Sequence, residues 1–176
     1  MLLKEYSNIF EVAIPYTTRE PTSEETDGKD FYFIKKGEFK QMLEDEKFLE
    51  CSIMDGHSYG TTKSEVEKIG KAQKIAILKV DVQSAQQINQ ENVDANYMFI
   101  YPPSPDELKE RISHKIEDDD AIKNVLEKGL REVEAANKTI LYKHKVINNK
   151  LETSYNEFKE LMLRIYKEEI KKIEST

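Results

Sequence analysis

The sequence is poor in glycine, and its few glycines are badly placed for holding phosphate. A phosphate-binding P-loop needs two glycines five positions apart, followed by Lys and Ser or Thr, so that backbone N–H groups converge on the phosphates. The glycines are Gly28, Gly37, Gly56, Gly60, Gly70 and Gly129. No pair of them has this spacing, so the 176 residues contain no such loop.

Cysteine, long apolar runs and excess positive charge are also missing. One cysteine, Cys51, excludes an intramolecular disulfide and is interpreted as a buried or half-buried thiol. No apolar run approaches a membrane span, and the opening is too short and too charged for a signal peptide. A net charge of -7 argues against a nucleic-acid partner. A cytoplasmic protein is expected, with a cytoskeletal or organellar assembly as a guess.

Metal-ligand patterns are missing too. The three histidines, His57, His114 and His144, have no ligand spacing with one another or with Cys51. The acidic run Asp118–Asp120 precedes a helical pattern, where such a run is typical of a solvated face or an N-terminal cap. We therefore expect no metal and no cofactor.

The patterns that are present alternate between strand and helix. Asp55-Gly56 predicts a tight hairpin between two strands, and Ser104-Pro105 predicts the start of a helix. Strands are predicted over 11–14, 31–34, 48–54, 57–61, 75–80, 96–101 and 145–147. Helices are predicted over 2–7, 36–45, 63–69, 121–141 and 151–174, and one more helix is predicted to begin at 104. This order predicts an α/β layered domain with a small antiparallel insert over residues 15–62.

Several short motifs, in this order and spacing, resemble the guanylate kinase family. They are Leu2-Leu3-Lys4-Glu5-Tyr6, Tyr16-Thr17-Thr18-Arg19, Phe48-Leu49-Glu50, Ser58-Tyr59-Gly60-Thr61, Val80-Asp81 and Phe99-Ile100-Tyr101-Pro102-Pro103-Ser104. The resemblance implies a guanylate-kinase-like parallel sheet with flanking helices. It also implies one truncated domain over 1–176, with a GMP-binding-type insert at 15–62, a lid-like region at 112–130 and a C-terminal helix at 151–174. In the family a strand and the P-loop precede the first motif, and both are missing here.

Five positions match residues that bind GMP in that family. By resemblance, Arg19 and Tyr59 would contact the phosphate, while Glu50, Thr61 and Asp81 would contact the guanine base. A structural alternative stays open at each of them, because these side chains could serve only to hold the insert together.

Other positions depart from the family pattern. Pro15 replaces a serine or histidine region, Thr22 replaces a second phosphate arginine, and Phe31 replaces a tyrosine. The remaining departures are Lys79 for a metal-side aspartate, with Lys115 and Val125 at positions where the lid carries arginines. Phosphoryl transfer depends on positioning and charge stabilisation, so these changes and the missing loop predict an inactive protein, not an enzyme.

We therefore expect a pseudokinase that acts as a structural or scaffolding subunit through protein contacts. The alternative is a sensor that binds GMP or another guanine nucleotide without kinase activity, and an active guanylate kinase is a distant third. The acidic segment 20–50 favours a basic protein partner.

The strand that precedes the first motif in the family, and is missing here, affects whether the protein needs a binding partner. It lies in the middle of the family's sheet, and buried backbone groups without partners are costly. Either the sheet rearranges, or another chain supplies a strand. An incomplete gene product is a third alternative.

Overall fold

The computed structural model describes residues 1–175, which contain eight helices and eight strands. The strands are β1 (Phe10–Val12), β2 (Tyr16–Thr17), β3 (Tyr32–Phe33), β4 (Phe48–Met54), β5 (His57–Thr62), β6 (Ile75–Ile77), β7 (Met98–Tyr101) and β8 (His144–Ile147). The helices are α1 (Leu2–Glu5), α2 (Lys36–Glu44), α3 (Lys63–Lys71), α4 (Val82–Gln90), α5 (Pro105–Ser113), α6 (Asp119–Lys138), α7 (Leu151–Ile165) and α8 (Lys167–Glu174).

The chain forms two compact units. The first spans Met1–Val93 together with the C-terminal segment from Glu168, and the second spans Asp94–Lys167. The first unit contains a two-stranded parallel sheet, β1-β6, and a four-stranded sheet of order β3-β2-β5-β4. The second contains the parallel pair β7-β8. The α/β class and the parallel pairing predicted from the apolar runs are confirmed.

The core of the first unit lies where helices cover the sheets. Ile9, Phe10 and Ile69 are each about 1% exposed, which places the start of β1 and the end of α3 at its centre. In the insert, the rings of Phe39 on α2 and Phe48 on β4 stack with their centroids 4.4 Å apart. These contacts fix the position of the four-stranded sheet against its helix.

The second unit is held together by polar contacts as well as by apolar packing. The Ser154 hydroxyl donates to the carbonyl of Ile147 at 2.9 Å and accepts from the Asn149 amide at 3.0 Å, which joins α7 to the end of β8. The guanidinium of Arg111 donates to the carbonyls of Asn148 and Asn149 at 2.7 and 2.8 Å. The turn after β8 is therefore tied to both α5 and α7.

Four helices begin at a residue whose side chain accepts a hydrogen bond from a free backbone N–H group of the first turn. Thr62 caps α3, Asp81 caps α4, Ser104 caps α5 and Asp118 caps α6. The capping alternative for the acidic run at 118–120 is thus the one observed, with a distance of 2.7 Å from Asp118 Oδ1 to the Ala121 amide.

The predicted element positions are mostly close, with four differences. α4 and β2 were not predicted, since α4 is rich in glutamine and β2 is only two residues long. The predicted single helix over 151–174 is wrong, since Tyr166 leaves helical geometry (φ -101°, ψ 25°) and separates α7 from α8. Leu43, predicted on the apolar face of α2, is 47% exposed.

Partner predictions stay open. The structure shows β1-β6 and β7-β8 as separate two-stranded sheets, and one chain by itself does not test whether another supplies a strand. No helix within residues 1–175 combines the length and the apolar character that crossing a membrane requires.

Gly60 lies where β5 passes closest to β4, so we predict that Gly60→Ala destabilises the insert. An added Cβ would stand 2.8 Å from the Glu50 carbonyl oxygen and 2.9 Å from Cδ1 of Phe48. We expect a loss of about 1–3 kcal/mol in the free energy of unfolding, measured by urea denaturation, because backbone must move.

The matched control is Gly70→Ala in α3, where an added Cβ meets nothing within 4 Å. This change should leave the free energy of unfolding unchanged or raise it by up to about 1 kcal/mol. Equal effects of the two substitutions would contradict the close approach of β4 and β5.

Candidate functional site

The best-defined polar group in the insert is the carboxylate of Glu50. Its side chain is buried, and the residue is 6% exposed. Oε1 of Glu50 accepts a hydrogen bond of 2.7 Å from the backbone N–H of Thr61 on the neighbouring strand. Oε2 has no hydrogen-bond partner among residues 1–175, so one oxygen is held and the other is free to accept from a ligand.

The register of the β4–β5 hairpin aligns further polar side chains with Glu50. Glu50 lies opposite Thr61, and Ser52 lies opposite Tyr59. Residues two apart on a strand face the same side and lie about 7 Å apart. Tyr59, Thr61 and Glu50 therefore share one face of the sheet.

Arg19 reaches the same face from the loop after β2. Its Nε donates to the Tyr59 hydroxyl at 3.3 Å. The guanidinium carbon lies 5.4 Å from the ring centre of Phe31 and 5.8 Å from that of Phe33, within the range of cation–π attraction. The departure at Phe31 thus removes a hydroxyl but keeps the aromatic ring, which lies against the arginine.

Glu25 occupies the fork of Arg19. Its two carboxylate oxygens accept from Nη1 and Nη2 at 2.9 and 2.8 Å, and Oε2 also accepts from the Thr22 backbone N–H at 2.9 Å. The hydrogen bonds from Arg19 lower the pKa of Glu25 from 4.5 to about 2, and those same bonds raise the pKa of Arg19. A phosphate would have to displace this carboxylate or share the guanidinium with it.

Asp81 lies at the start of α4. Oδ1 accepts from the Ser84 amide at 2.8 Å and caps the helix, while Oδ2 has no partner among residues 1–175. Helix α4 packs on β4, and the side chain of Gln87 bonds the backbone of Cys51, the residue after Glu50. Asp81 therefore has a structural role in capping and one oxygen left over for a ligand.

The other positions that depart from the family pattern make no hydrogen bond or ion pair with Arg19, Glu50 or Asp81 within residues 1–175. The Pro15 carbonyl accepts from the Tyr32 amide at 2.9 Å. Lys79 is exposed and forms no ion pair with Asp81 in the described part of the chain. Lys115 and Val125 are exposed in the second unit. No group of three or more potential metal-ligating side chains lies together within residues 1–175.

Two site residues were missed from the sequence. Glu25 lies in an irregular loop, where spacing does not reveal that it meets Arg19. Gln87 lies in a helix that was not predicted. The pattern Asp81-x-x-Ser84 before an apolar period was the signal that could have revealed that helix.

Comparisons with known proteins identify the family. The guanylate kinase family model matches residues 1–165. The chain belongs to the guanylate kinase family. It is 31% identical over 163 residues to the "Guanylate kinase" of Schizosaccharomyces pombe, covering 92% of this chain and 81% of the relative. It is 31% identical over 176 residues to that of Sus scrofa, covering 99% and 87%.

The fold agrees with a solved guanylate kinase. The crystal structure of guanylate kinase from Anaplasma phagocytophilum matches with a TM-score of 0.68 and 22% identity, covering 90% of this chain and 77% of that one. At this identity the likeness shows the fold. The predicted resemblance and fold class are confirmed.

The prediction of an inactive pseudokinase and scaffold is wrong. Two relatives named guanylate kinase match 92% and 99% of this chain. Their names point to an enzyme. The prediction gave too much weight to the missing loop and to the departures from the family pattern.

The Arg19–Glu25 pair predicts a pH dependence of stability. A folded-state pKa near 2, below the ordinary 4.5, means that ionised Glu25 stabilises the fold above pH 4.5. This contribution is lost as the pH falls through about 2. Urea denaturation of wild type and Glu25→Gln should therefore give a difference that is largest near pH 6–7 and shrinks progressively below about pH 4.5.

Glu24→Gln is the matched control, because Glu24 is exposed and adjacent. Its difference from wild type should stay near zero across the same range. A Glu25→Gln difference as large at pH 3 as at pH 7 would contradict the proposed ion pair.

Proposed function

We propose that this protein is a cytoplasmic guanylate kinase that transfers the γ-phosphoryl group of ATP to GMP. The proposal is supported by the names of its relatives. The observation that carries it is the buried Glu50 carboxylate, with one oxygen bonded to Thr61 and the other unpaired. The relatives give no support to a cytoskeletal assembly.

The free oxygen of Glu50 suits guanine. An ionised carboxylate only accepts hydrogen bonds, and the Watson–Crick edge of guanine presents N–H donors at N1 and N2. Adenine presents an acceptor at N1, which a carboxylate would repel. Thr61 and the unpaired Oδ2 of Asp81 add further hydrogen-bonding groups, so the site favours GMP over AMP.

The phosphate of GMP would be held at Arg19 and Tyr59. A guanidinium binds phosphate through parallel N–H donors. The aromatic rings of Phe31 and Phe33 keep the guanidinium in place before a ligand arrives. Glu25 then competes with the phosphate for the same donors, which makes it a local determinant of affinity.

The chain's part in the reaction is to position the acceptor. Holding the base at Glu50 and the phosphate at Arg19 orients the GMP oxygens for in-line attack on ATP, and such positioning is a large share of phosphoryl-transfer catalysis. Magnesium enters with the MgATP substrate.

Two measurements test the proposal. Isothermal titration with GMP measures binding, and the formation of GDP and ADP from GMP and MgATP measures transfer. Glu50→Gln should weaken GMP binding about 10- to 100-fold, because a charge-assisted hydrogen bond to the base is lost. Catalytic efficiency should fall in proportion.

The matched control is Glu44→Gln, since Glu44 is an exposed acid on α2 whose ion-pair partner within residues 1–175 is Lys40. It should bind GMP as wild type does. GMP binding without any GDP formation would contradict kinase activity, and binding of AMP as tightly as GMP would contradict the base-recognition role of Glu50.

A further inference from the structure

The strand that carries Glu50 is an edge strand. In the order β3-β2-β5-β4, β4 has β5 on one side and, within residues 1–175, no strand on the other. An edge strand presents backbone N–H and C=O groups that seek partners and allow the strand to shift. The position of Glu50 depends on how this edge is held.

Gln87 satisfies the free backbone groups of β4 at one residue, Cys51. Its side-chain Oε1 accepts from the Cys51 backbone N–H at 2.9 Å, and its Nε2 donates to the Cys51 carbonyl at 2.8 Å. These are the two bonds that a neighbouring strand would make. The primary amide is the one neutral side-chain group that offers a donor and an acceptor in this geometry.

These two hydrogen bonds between Gln87 and Cys51, here called the clamp, lie close in sequence to Glu50 on β4 and to Asp81 at the start of α4. Cys51 directly follows Glu50, whose other side is held by the Thr61 amide across the hairpin. On the helix, Gln87 is six residues, or about 9 Å, from Asp81. One side chain therefore links the strand of Glu50 to the helix of Asp81.

We propose that Gln87 is a positioning residue for Glu50, and that it sets the guanine selectivity of the site through the backbone of Cys51. The selectivity part of this inference rests on the proposed function. A pocket of about 340 Å³, lined in part by Glu50, Cys51 and Gln87, lies beside the clamp. Water can replace the lost bonds there, so loss of the amide loosens β4 without leaving buried groups unpaired.

The test variant is Gln87→Met, which keeps the length and packing of the side chain but removes both hydrogen bonds. The control is Gln86→Met, the same change at an exposed position of the same helix. In the ligand-free protein, Gln87→Met should raise the hydrogen-exchange rate of the Thr61 amide at least about fivefold, as expected for losing a hydrogen bond. Gln86→Met should leave it unchanged.

Binding of GMP and IMP reads out selectivity, because IMP lacks the 2-amino donor. Gln87→Met should weaken GMP binding about 5- to 10-fold and IMP binding less, so the GMP-to-IMP preference falls. In a Glu50→Gln background, Gln87→Met should add little to the loss, since both changes act through one carboxylate. A merely structural Gln87 would lower the melting temperature while leaving the preference intact.

The outcomes separate the two claims. An unchanged Thr61 exchange rate in Gln87→Met overturns the positioning role, whether or not GMP binds. An unchanged GMP-to-IMP preference overturns the selectivity role. Wild type that fails to bind or phosphorylate GMP contradicts the proposed function, while the Thr61 amide still decides whether Gln87 positions Glu50.

Discussion

The site depends on one buried charge held by one backbone amide. Glu50 is 6% exposed, and the Thr61 amide donates a hydrogen bond of 2.7 Å to Oε1, which offsets part of the hydration that burial removes. The second oxygen is left for a ligand. β4 and β5 approach closely at Gly60, where an added Cβ would stand 2.8 Å from the Glu50 carbonyl oxygen. The spacing of these two strands therefore bears on where Glu50 lies.

The other parts of the site are held before a ligand arrives. Arg19 is supported by the aromatic rings of Phe31 and Phe33 and by the hydroxyl of Tyr59. Asp81 is fixed as a helix cap. Side chains that are already in place lose little conformational entropy on binding, so more of the interaction free energy appears as affinity. Glu25 acts against this at the phosphate end, because it already satisfies the guanidinium.

Local signals predicted most of the fold. Asp55-Gly56 marks the hairpin because both residues adopt positive φ, 52° and 77°. Ser104-Pro105 marks the start of α5. Contacts between distant residues were not predictable. The pairing of Arg19 with Glu25 depends on the path of an irregular loop, and the clamp of Gln87 on Cys51 depends on how α4 packs. The mistaken prediction of inactivity rested on the missing loop and on the departures from the family pattern taken together, and the relatives named guanylate kinase overturn it.

A structure of the protein with GMP tests the central claim most directly, with the distance from Glu50 Oε2 to the N1 and N2 atoms of guanine as the measurement. The account predicts hydrogen-bond distances of about 2.7–3.1 Å at this oxygen, with the bond from Thr61 to Oε1 retained. A guanine base bound elsewhere, with Glu50 Oε2 still unpaired, would contradict it.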